Sequence, residues 1–205
     1  MMKKIVPCIL VVCCSTMIFA GYEDGLIGPT EYEEFVEWES GLLMVDGGGA
    51  NMLSILYSAR LEVQSTSKPI NEDFNTGGIW DIVLYGSSRM DYYAGWTDEL
   101  TVRSNAIANL YGGNINGISS FQYAATDHIN IYALPGWSWM LDGNQKKVGI
   151  TGQWWDSTPF DIDFTANGES FGYDPVWMNI NVIIPEPTTV LLLALGGFQI
   201  LRKKR

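Results

Sequence analysis

Short apolar pairs that recur at a nearly fixed interval are the feature that constrains this fold most. In each pair two residues stand two positions apart, as they do on one face of a short strand. The pairs are Leu43/Val45, Leu53/Ile55, Leu61/Val63, Ile82/Leu84, Met90/Tyr92, Leu100/Val102, Ala108/Leu110 and Ile118 with Ser120. Their first members are separated by 10, 8, 21, 8, 10, 8 and 10 residues. If 11 residues near 65–75 form a polar loop, the period is 18, with two strands in each period.

This period predicts an all-β fold, namely a short parallel β-solenoid over residues 42–122 with about 18 residues per coil. One coil cannot bury its own apolar pair, whereas stacked coils bury each pair against the next. An antiparallel β-sandwich is the alternative, because its strands also recur every 8 to 12 residues. Residues 21–41 are acidic and rich in turn-forming residues. They are predicted to be an N-terminal cap or linker, and the pattern does not decide between helix and strand there.

After residue 122 the repeat stops and aromatic residues become frequent. Further strands are indicated by alternation at Ile129/Ile131, Trp137/Trp139, Val148/Ile150 and Phe160/Ile162/Phe164. A hairpin turn is indicated by Asp142-Gly143-Asn144, which lies between the second and third of these strands. We therefore predict an antiparallel β cap over residues 123–184, because an uncovered last coil would present unpaired strand edges.

The first twenty residues have the parts of a secretory signal peptide. Lys3 and Lys4 form a positive segment, residues 5–19 are mostly apolar, and cleavage is predicted between Ala20 and Gly21. All three cysteines lie in this segment, namely Cys8, Cys13 and Cys14. We therefore predict export by the Sec machinery and a mature chain without any thiol for a disulfide, a nucleophile or a metal site.

The C-terminal segment 185–205 combines three features in series. The prolines of Pro185, Glu186 and Pro187 keep the chain extended and out of a helix. The next segment, 188–201, is apolar and predicted to enter a membrane, but its 14 residues span only about 21 Å as a helix, short of the ~30 Å bilayer core. That length suits a segment that is removed better than a permanent anchor. The basic residues that stay on the cytoplasmic side are Arg202, Lys203, Lys204 and Arg205.

This order of tripeptide, apolar segment and basic cluster resembles the C-terminal sorting signal of PEP-CTERM proteins, which Gram-negative bacteria export. The resemblance covers only the tail, about a tenth of the chain. It implies that an exosortase, a membrane enzyme, recognises Pro185, Glu186 and Pro187 and processes the tail. It further implies a transient stay in the inner membrane, followed by transfer to the cell surface or to an exopolysaccharide matrix.

The body between the two signals is strongly acidic. Without the signal residues it retains six basic and 22 acidic side chains, a net charge of −16. Such a charge argues against nucleic acid or an anionic membrane surface as a partner, because both require a positive protein face. It permits good solvation, cation binding or a neutral polysaccharide partner.

Candidate ligand contacts are the adjacent Trp154 and Trp155. They cannot both point inward from a regular strand, so at least one is exposed or lies at a bulge, where its ring could stack on a sugar. Asp161 and Asp163 share one strand face, which suits an acid/base pair, calcium binding or plain solvation. His128 is the only histidine and has no thiol partner for a catalytic triad. We assign no catalytic residue, metal or cofactor.

The sequence thus predicts an exported cell-surface or extracellular-matrix protein whose body is a non-catalytic structural or adhesive β-solenoid. The alternative is a carbohydrate-binding module, and a second alternative is a glycan-active lyase or hydrolase. The partners predicted are the exosortase, the Sec machinery and exopolysaccharide.

Overall fold

The structure, a computed structural model, describes residues 24–67, 77–123 and 128–185, and it is all-β with two short 3₁₀ helices, Gly168–Phe171 and Val176–Asn179. Up to β11, successive strands alternate between two sheets. Sheet A contains, in spatial order, β1 (Gly25–Ile27), β3 (Leu42–Asp46), β5 (Arg60–Ser65), β7 (Arg89–Tyr92), β9 (Ile107–Leu110), β11 (Ile129–Tyr132) and β15 (Ile180–Ile183). Sheet B contains β2 (Tyr32–Trp38), β4 (Gly49–Ile55), β6 (Ile79–Leu84), β8 (Trp96–Arg103), β10 (Asn114–Phe121), β14 (Pro159–Asn167), β13 (Lys147–Gln153) and β12 (Ser138–Leu141).

Nearly all of these strands pair in parallel. The exceptions are β12 with β13 and β13 with β14, which are antiparallel. The all-β class predicted from the sequence is therefore confirmed. Two mostly parallel sheets rule out the antiparallel β-sandwich, because that fold requires neighbouring strands to run in opposite directions.

The core consists of the apolar pairs found in the sequence, and every one of them is buried. Residues one period apart lie opposite each other: Leu43 is opposite Leu61, and Ile82 is opposite Leu100. Leu61 is likewise opposite Met90, although 29 residues separate them. The 11 extra residues fall in the connection between β5 and β6, where the predicted polar loop lies mostly outside the described residues, from 68 to 76.

The acidic segment 21–41, where described, forms the first layer of both sheets. Strand β1 pairs in parallel with β3, and β2 pairs in parallel with β4. Val36 and Trp38 are buried and lie opposite Leu53 and Ile55. The segment therefore continues the same inward pattern as the layers that follow it.

The segment 123–184 contains both kinds of pairing, so the antiparallel unit predicted there covers only β12 to β14. The predicted hairpin joins β12 to β13, and its Asp142 carboxylate accepts hydrogen bonds from the amides of Asn144 and Lys146, both at 2.8 Å. Strand β14 then pairs in parallel with β10. Strands β11 and β15 extend sheet A in parallel, because Ile129 and Ile131 form one more inward pair that stacks on β9.

Candidate functional site

The residues predicted for sorting and processing lie almost entirely outside the described part of the chain. These are Ala20, Gly21, Glu186, Pro187, segment 188–201 and Arg202, Lys203, Lys204 and Arg205. Pro185 is described, and it follows the last strand, β15, after one intervening residue. No helix within the described ranges is both long and apolar enough to cross a membrane. Export and tail processing therefore stay predictions.

The adjacent tryptophans after β13 have opposite environments. Trp154 is fully buried, packs 4.5 Å from Phe160 by ring centroids, and donates its Nε1 hydrogen to the Gly113 carbonyl at 2.9 Å. Trp155 is 46% exposed, and its ring meets that of Tyr132 edge-on at 5.4 Å. Trp154 therefore belongs to the core, and of the two only Trp155 can offer a ring to a ligand.

The acidic and histidine candidates do not form a catalytic or metal-binding cluster. Asp161 and Asp163 are both exposed on β14, on either side of the buried Ile162. His128 Nδ1 lies 3.0 Å from the Ala106 carbonyl oxygen, an acceptor, so this nitrogen serves a backbone contact. Within the described ranges, no three His, Cys, Asp or Glu side chains are placed to hold a metal ion.

An aromatic row runs across the outer side of sheet A. We call it the tyrosine row, and it consists of Tyr93, Tyr111 and Tyr132, with Trp155 at its end. The ring centroids of Tyr93 and Tyr111 are 4.9 Å apart at 9°, and those of Tyr111 and Tyr132 are 4.3 Å apart at 21°. Burial raises the pKa of Tyr111, and its hydrogen bond with Tyr132 raises it further. Both faces of the Tyr111 ring are thus covered by its neighbours.

A row of amide side chains lies beside the tyrosine row. This amide row consists of Asp91, Asn109, Asn130 and Asn181, which occupy equivalent positions on neighbouring strands. Asn109 donates to Asp91 at 2.9 Å, Asn130 donates to Asn109 at 2.9 Å, and Asn181 donates to Asn130 at 3.2 Å. Each of these side-chain oxygens accepts from the next layer, so the row ties four strands together.

The two rows on sheet A are largely closed to a ligand. Stacking leaves the inner tyrosines with their edges, not their faces, toward solvent. Only the terminal rings are more open, with Tyr93 42% and Trp155 46% exposed. A sugar needs an exposed ring face for stacking, so these rows are suited to hold layers together, and Trp155 is their one terminal contact point near the antiparallel strands.

A third row leads to a pocket, which we call the Arg103 pocket. Arg103 lies opposite Phe121 at the ends of β8 and β10, and Tyr85 follows the end of β6. The Arg103 Cζ atom lies 4.5 Å from the Phe121 ring centroid and 5.3 Å from that of Tyr85. These are cation–π distances. The pocket has a volume of about 420 Å³, and its lining is completed by Ser104, Asn105, Gln122, Tyr123 and Tyr173.

Polar groups in and behind this pocket lack partners. Arg103 Nε and Gln122 Nε2 are buried, and neither has a hydrogen-bond partner among the described residues. The same is true of Asp174 Oδ2, although Asp174 does not line the pocket. A hydrogen bond with Tyr173 raises the pKa of Tyr123 at the rim. A buried polar group without a partner costs about 1–3 kcal/mol, so a ligand that supplied acceptors here would recover part of that free energy.

An acidic row crosses sheet B. Asp81 lies opposite Glu99, and Glu99 lies opposite Gly117. Burial raises the pKa of Asp81, and the negative charges of Glu99 and Asp98 raise it further. The Glu99 carboxylate accepts hydrogen bonds from Ser119 and Thr165. Like charges therefore stand on neighbouring strands without a cation between them in the described ion pairs.

The apolar pairs alone do not reveal these rows, yet the sequence carries the signal. Tyr93 and Tyr111 are one period of 18 residues apart, and Tyr85, Arg103 and Phe121 follow one another at the same interval. The outward residues thus repeat with the period of the inward pairs. Reading that period on the outward positions would have identified two of the three rows in part.

No protein-family model matches the chain, and no curated protein or solved structure matches it either. The fold, the rows and the Arg103 pocket are therefore the features that bear on function.

Proposed function

We propose that the two sheets are the sides of a short β-solenoid with about 18 residues per coil, and that this solenoid is the non-catalytic body of an exported structural or adhesive protein. The observation that carries the proposal is the stacking of residues one period apart. It holds for the buried pairs, such as Ile82 with Leu100, and for outward residues, such as Tyr93 with Tyr111. A stack of coils with satisfied outer rows suits a mechanical or adhesive role.

The destination we propose is the cell surface or extracellular matrix of a Gram-negative bacterium, reached through the Sec machinery and the inner membrane. The order of residues in 185–205 supports it, through its resemblance to exosortase substrates. Strand β15 ends at Ile183, two residues before Pro185. A cut near the tripeptide would therefore release the folded body with all its described strands.

A non-catalytic role is supported by the placement of the carboxylates. A glycosidase needs two carboxyl groups that face the same bond across a cleft. Asp161 and Asp163 instead stand side by side on the exposed face of one strand. The lyase or hydrolase alternative would require a different pair.

Cell fractionation tests the proposed destination. The chain would be produced in a bacterium that has an exosortase, beside a variant in which Pro185, Glu186 and Pro187 are all replaced by alanine. We expect the unchanged chain in the surface or matrix fraction with a shortened mass, and the variant held in the inner membrane. Equal surface delivery of both would contradict the role given to the tripeptide. Sugar release from a panel of polysaccharides, with and without calcium, would contradict the non-catalytic role.

A carbohydrate-binding module is the second candidate function, and the exposed Trp155 together with the Arg103 pocket favours it. The neighbouring tryptophans provide a matched pair of variants. Trp155→Ala is expected to weaken binding to a polysaccharide and to leave the free energy of unfolding within about 0.5 kcal/mol. Trp154→Ala is expected to lower that free energy by about 3–5 kcal/mol, because it empties a fully buried site and orphans the Gly113 carbonyl. Unchanged binding by Trp155→Ala would remove this ring as a contact.

A further inference from the structure

We propose that the Arg103 pocket binds the carboxylate of an acidic sugar, that is, a uronate residue. The inference rests on the proposed function, because an exported matrix protein meets polysaccharides outside the cell. It names the chemical class of glycan and the residue that selects it.

Arg103 is a half-buried cation without an acidic partner in the described ion pairs. Arg60, by contrast, lies 3.6 Å from Asp91, and Lys146 lies 3.0 Å from Glu169. The body has 22 acidic side chains for six basic ones, so an acidic partner would be easy to supply. An arginine that lines a pocket and keeps its charge uncompensated is suited to receive an anion from outside.

The two aromatic rings position the guanidinium. Its Cζ atom lies between Tyr85, at 5.3 Å from the ring centroid, and Phe121, at 4.5 Å. The rings restrict the side chain, so less rotamer entropy is lost when a ligand binds. A guanidinium held in this way presents parallel N–H donors that match the two oxygens of a carboxylate.

Further donors line the same pocket. Gln122 is 2% exposed, and its Nε2 has no hydrogen-bond partner among the described residues. Ser104 and Asn105 add a hydroxyl and an amide to the lining. This supply of donors suits a ligand rich in oxygen acceptors, which is the character of a sugar with a carboxylate.

The aromatic walls favour a sugar acid over a bare inorganic anion. Tyr123 is 66% exposed at the rim, and its ring centroid lies 4.3 Å from that of Tyr173. Such rings contact the apolar face of a sugar ring, whereas sulfate or phosphate has no apolar face. The volume of about 420 Å³ lies in the range of small-molecule sites.

The acidity of the body determines which probe is suitable. A long polyuronate would be repelled by a body with a net charge of −16, although salt limits that repulsion to about 8 Å at physiological ionic strength. A disaccharide of galacturonic acid carries only two charges, so its binding reports on the pocket. Its dimethyl ester has nearly the same shape without the charge, and it serves as the matched neutral probe.

Isothermal titration of the full chain with both probes tests the proposal. We expect the acid to bind at least about tenfold more tightly than the ester, and Arg103→Gln to lower the affinity for the acid at least about tenfold. Arg89→Gln is the matched control, because Arg89 is an exposed arginine on sheet A and its loss changes the net charge equally. It should leave both affinities unchanged.

Three outcomes would overturn the proposal. They are equal affinity for acid and ester, full affinity in Arg103→Gln, and an equal loss in Arg89→Gln. Displacement of the disaccharide by an equal concentration of sulfate would show an anion site without sugar selectivity. If Arg103→Gln does not fold, Arg103→Lys keeps the charge without the planar fork and is expected to lose about fivefold in affinity, and full affinity in that variant would contradict the proposal.

The outcome separates this inference from the function on which it rests. A chain that reaches the cell surface but does not bind the acid would contradict the uronate site alone. A chain that binds the acid but is not exported would contradict the proposed destination and leave the site intact.

Discussion

The amide row on sheet A and the row that leads into the Arg103 pocket are built by the same period but differ in their partners. In the amide row each side chain bonds to the next layer, from Asp91 through Asn109 and Asn130. In the other row a cation stands between two rings, Tyr85 and Phe121, and its Nε has no partner among the described residues. One row is satisfied by the protein itself and the other is not.

This difference shows how one repeat can serve two purposes. Where the repeated residue types complement themselves, as amides and tyrosines do, the row stabilises the stack and offers little to a ligand. Where one layer changes type, as Arg103 does between Tyr85 and Phe121, the row is interrupted and its polar groups remain available. The stability of the protein and its binding should therefore depend on different residues.

The largest effect is expected in the middle of the tyrosine row. Tyr111→Ala removes a ring that is stacked on both faces, and we expect the free energy of unfolding to fall by about 2 kcal/mol. Tyr123→Ala, at the exposed rim of the pocket, should change it by less than about 0.5 kcal/mol. Urea denaturation of the two variants measures both values. Equal losses would break the distinction between the two rows.

A smaller effect is expected in the amide row. Asn130→Ala removes one donated and one accepted hydrogen bond, and we expect a loss of about 1–2 kcal/mol in the free energy of unfolding. Asn114→Ala is the control, because this exposed asparagine lies on β10 outside the row. The affinity for the galacturonate disaccharide should stay the same in both variants. A lower affinity in Asn130→Ala alone would mean that the closed row also takes part in binding.

The smallest effect is expected in the acidic row, where like charges replace complementary partners. The pKa of Asp81 is raised in the folded state, first by burial and then by Glu99 and Asp98. The folded chain thus holds this proton to a higher pH than the unfolded chain does. Stability from this group is therefore full below about pH 4, the ordinary range of an aspartate pKa, and is lost as the pH rises through the raised value.

Asp81→Asn should remove that dependence. We expect the variant to be more stable than the unchanged chain at pH 7 by about 0.5 kcal/mol, the size of a cross-strand like-charge pair, and to differ less at pH 4. Urea denaturation at the two pH values gives the comparison. Lower stability of Asp81→Asn at pH 7 would mean that this carboxylate has a favourable partner.

The inward half of the fold could be read from the sequence, and the order of the last strands could not. Alternating apolar pairs report burial directly, and each pair from Leu43 to Ser120 is buried. Strand β15 joins β11 in sheet A although 51 residues separate Ile129 from its partner Ile180. The antiparallel strands β12 to β14 lie between them in the chain, and spacing alone does not show that the chain returns to the first sheet.

The candidate site was predictable only in part. Adjacent tryptophans implied that one is exposed, but the buried one is decided by the carbonyl of Gly113, 41 residues away. The period of 18 on outward positions contains Tyr85, Arg103 and Phe121 of the pocket. It does not contain Tyr173, which reaches the pocket through the path of the chain after β14.

The stacking of coils across the longest interval is the central claim, and a pair of cysteine variants tests it most directly. In a chain with Cys8, Cys13 and Cys14 replaced by serine, Glu62→Cys would be combined with Asp91→Cys or with Arg89→Cys. Glu62 lies opposite Asp91, and neighbouring strands are about 4.8 Å apart, within reach of a disulfide. Arg89 is offset by two residues, at about 8 Å, beyond that reach.

Mass spectrometry after mild oxidation reports which pair has formed an internal disulfide. We predict the bond in Glu62→Cys with Asp91→Cys and none in Glu62→Cys with Arg89→Cys. That result would mean that the 11 extra residues leave the stack as a loop and that the period of 18 continues on both sides. A bond only in the offset pair, or none in either, would contradict the register on which the solenoid, its rows and the Arg103 pocket depend.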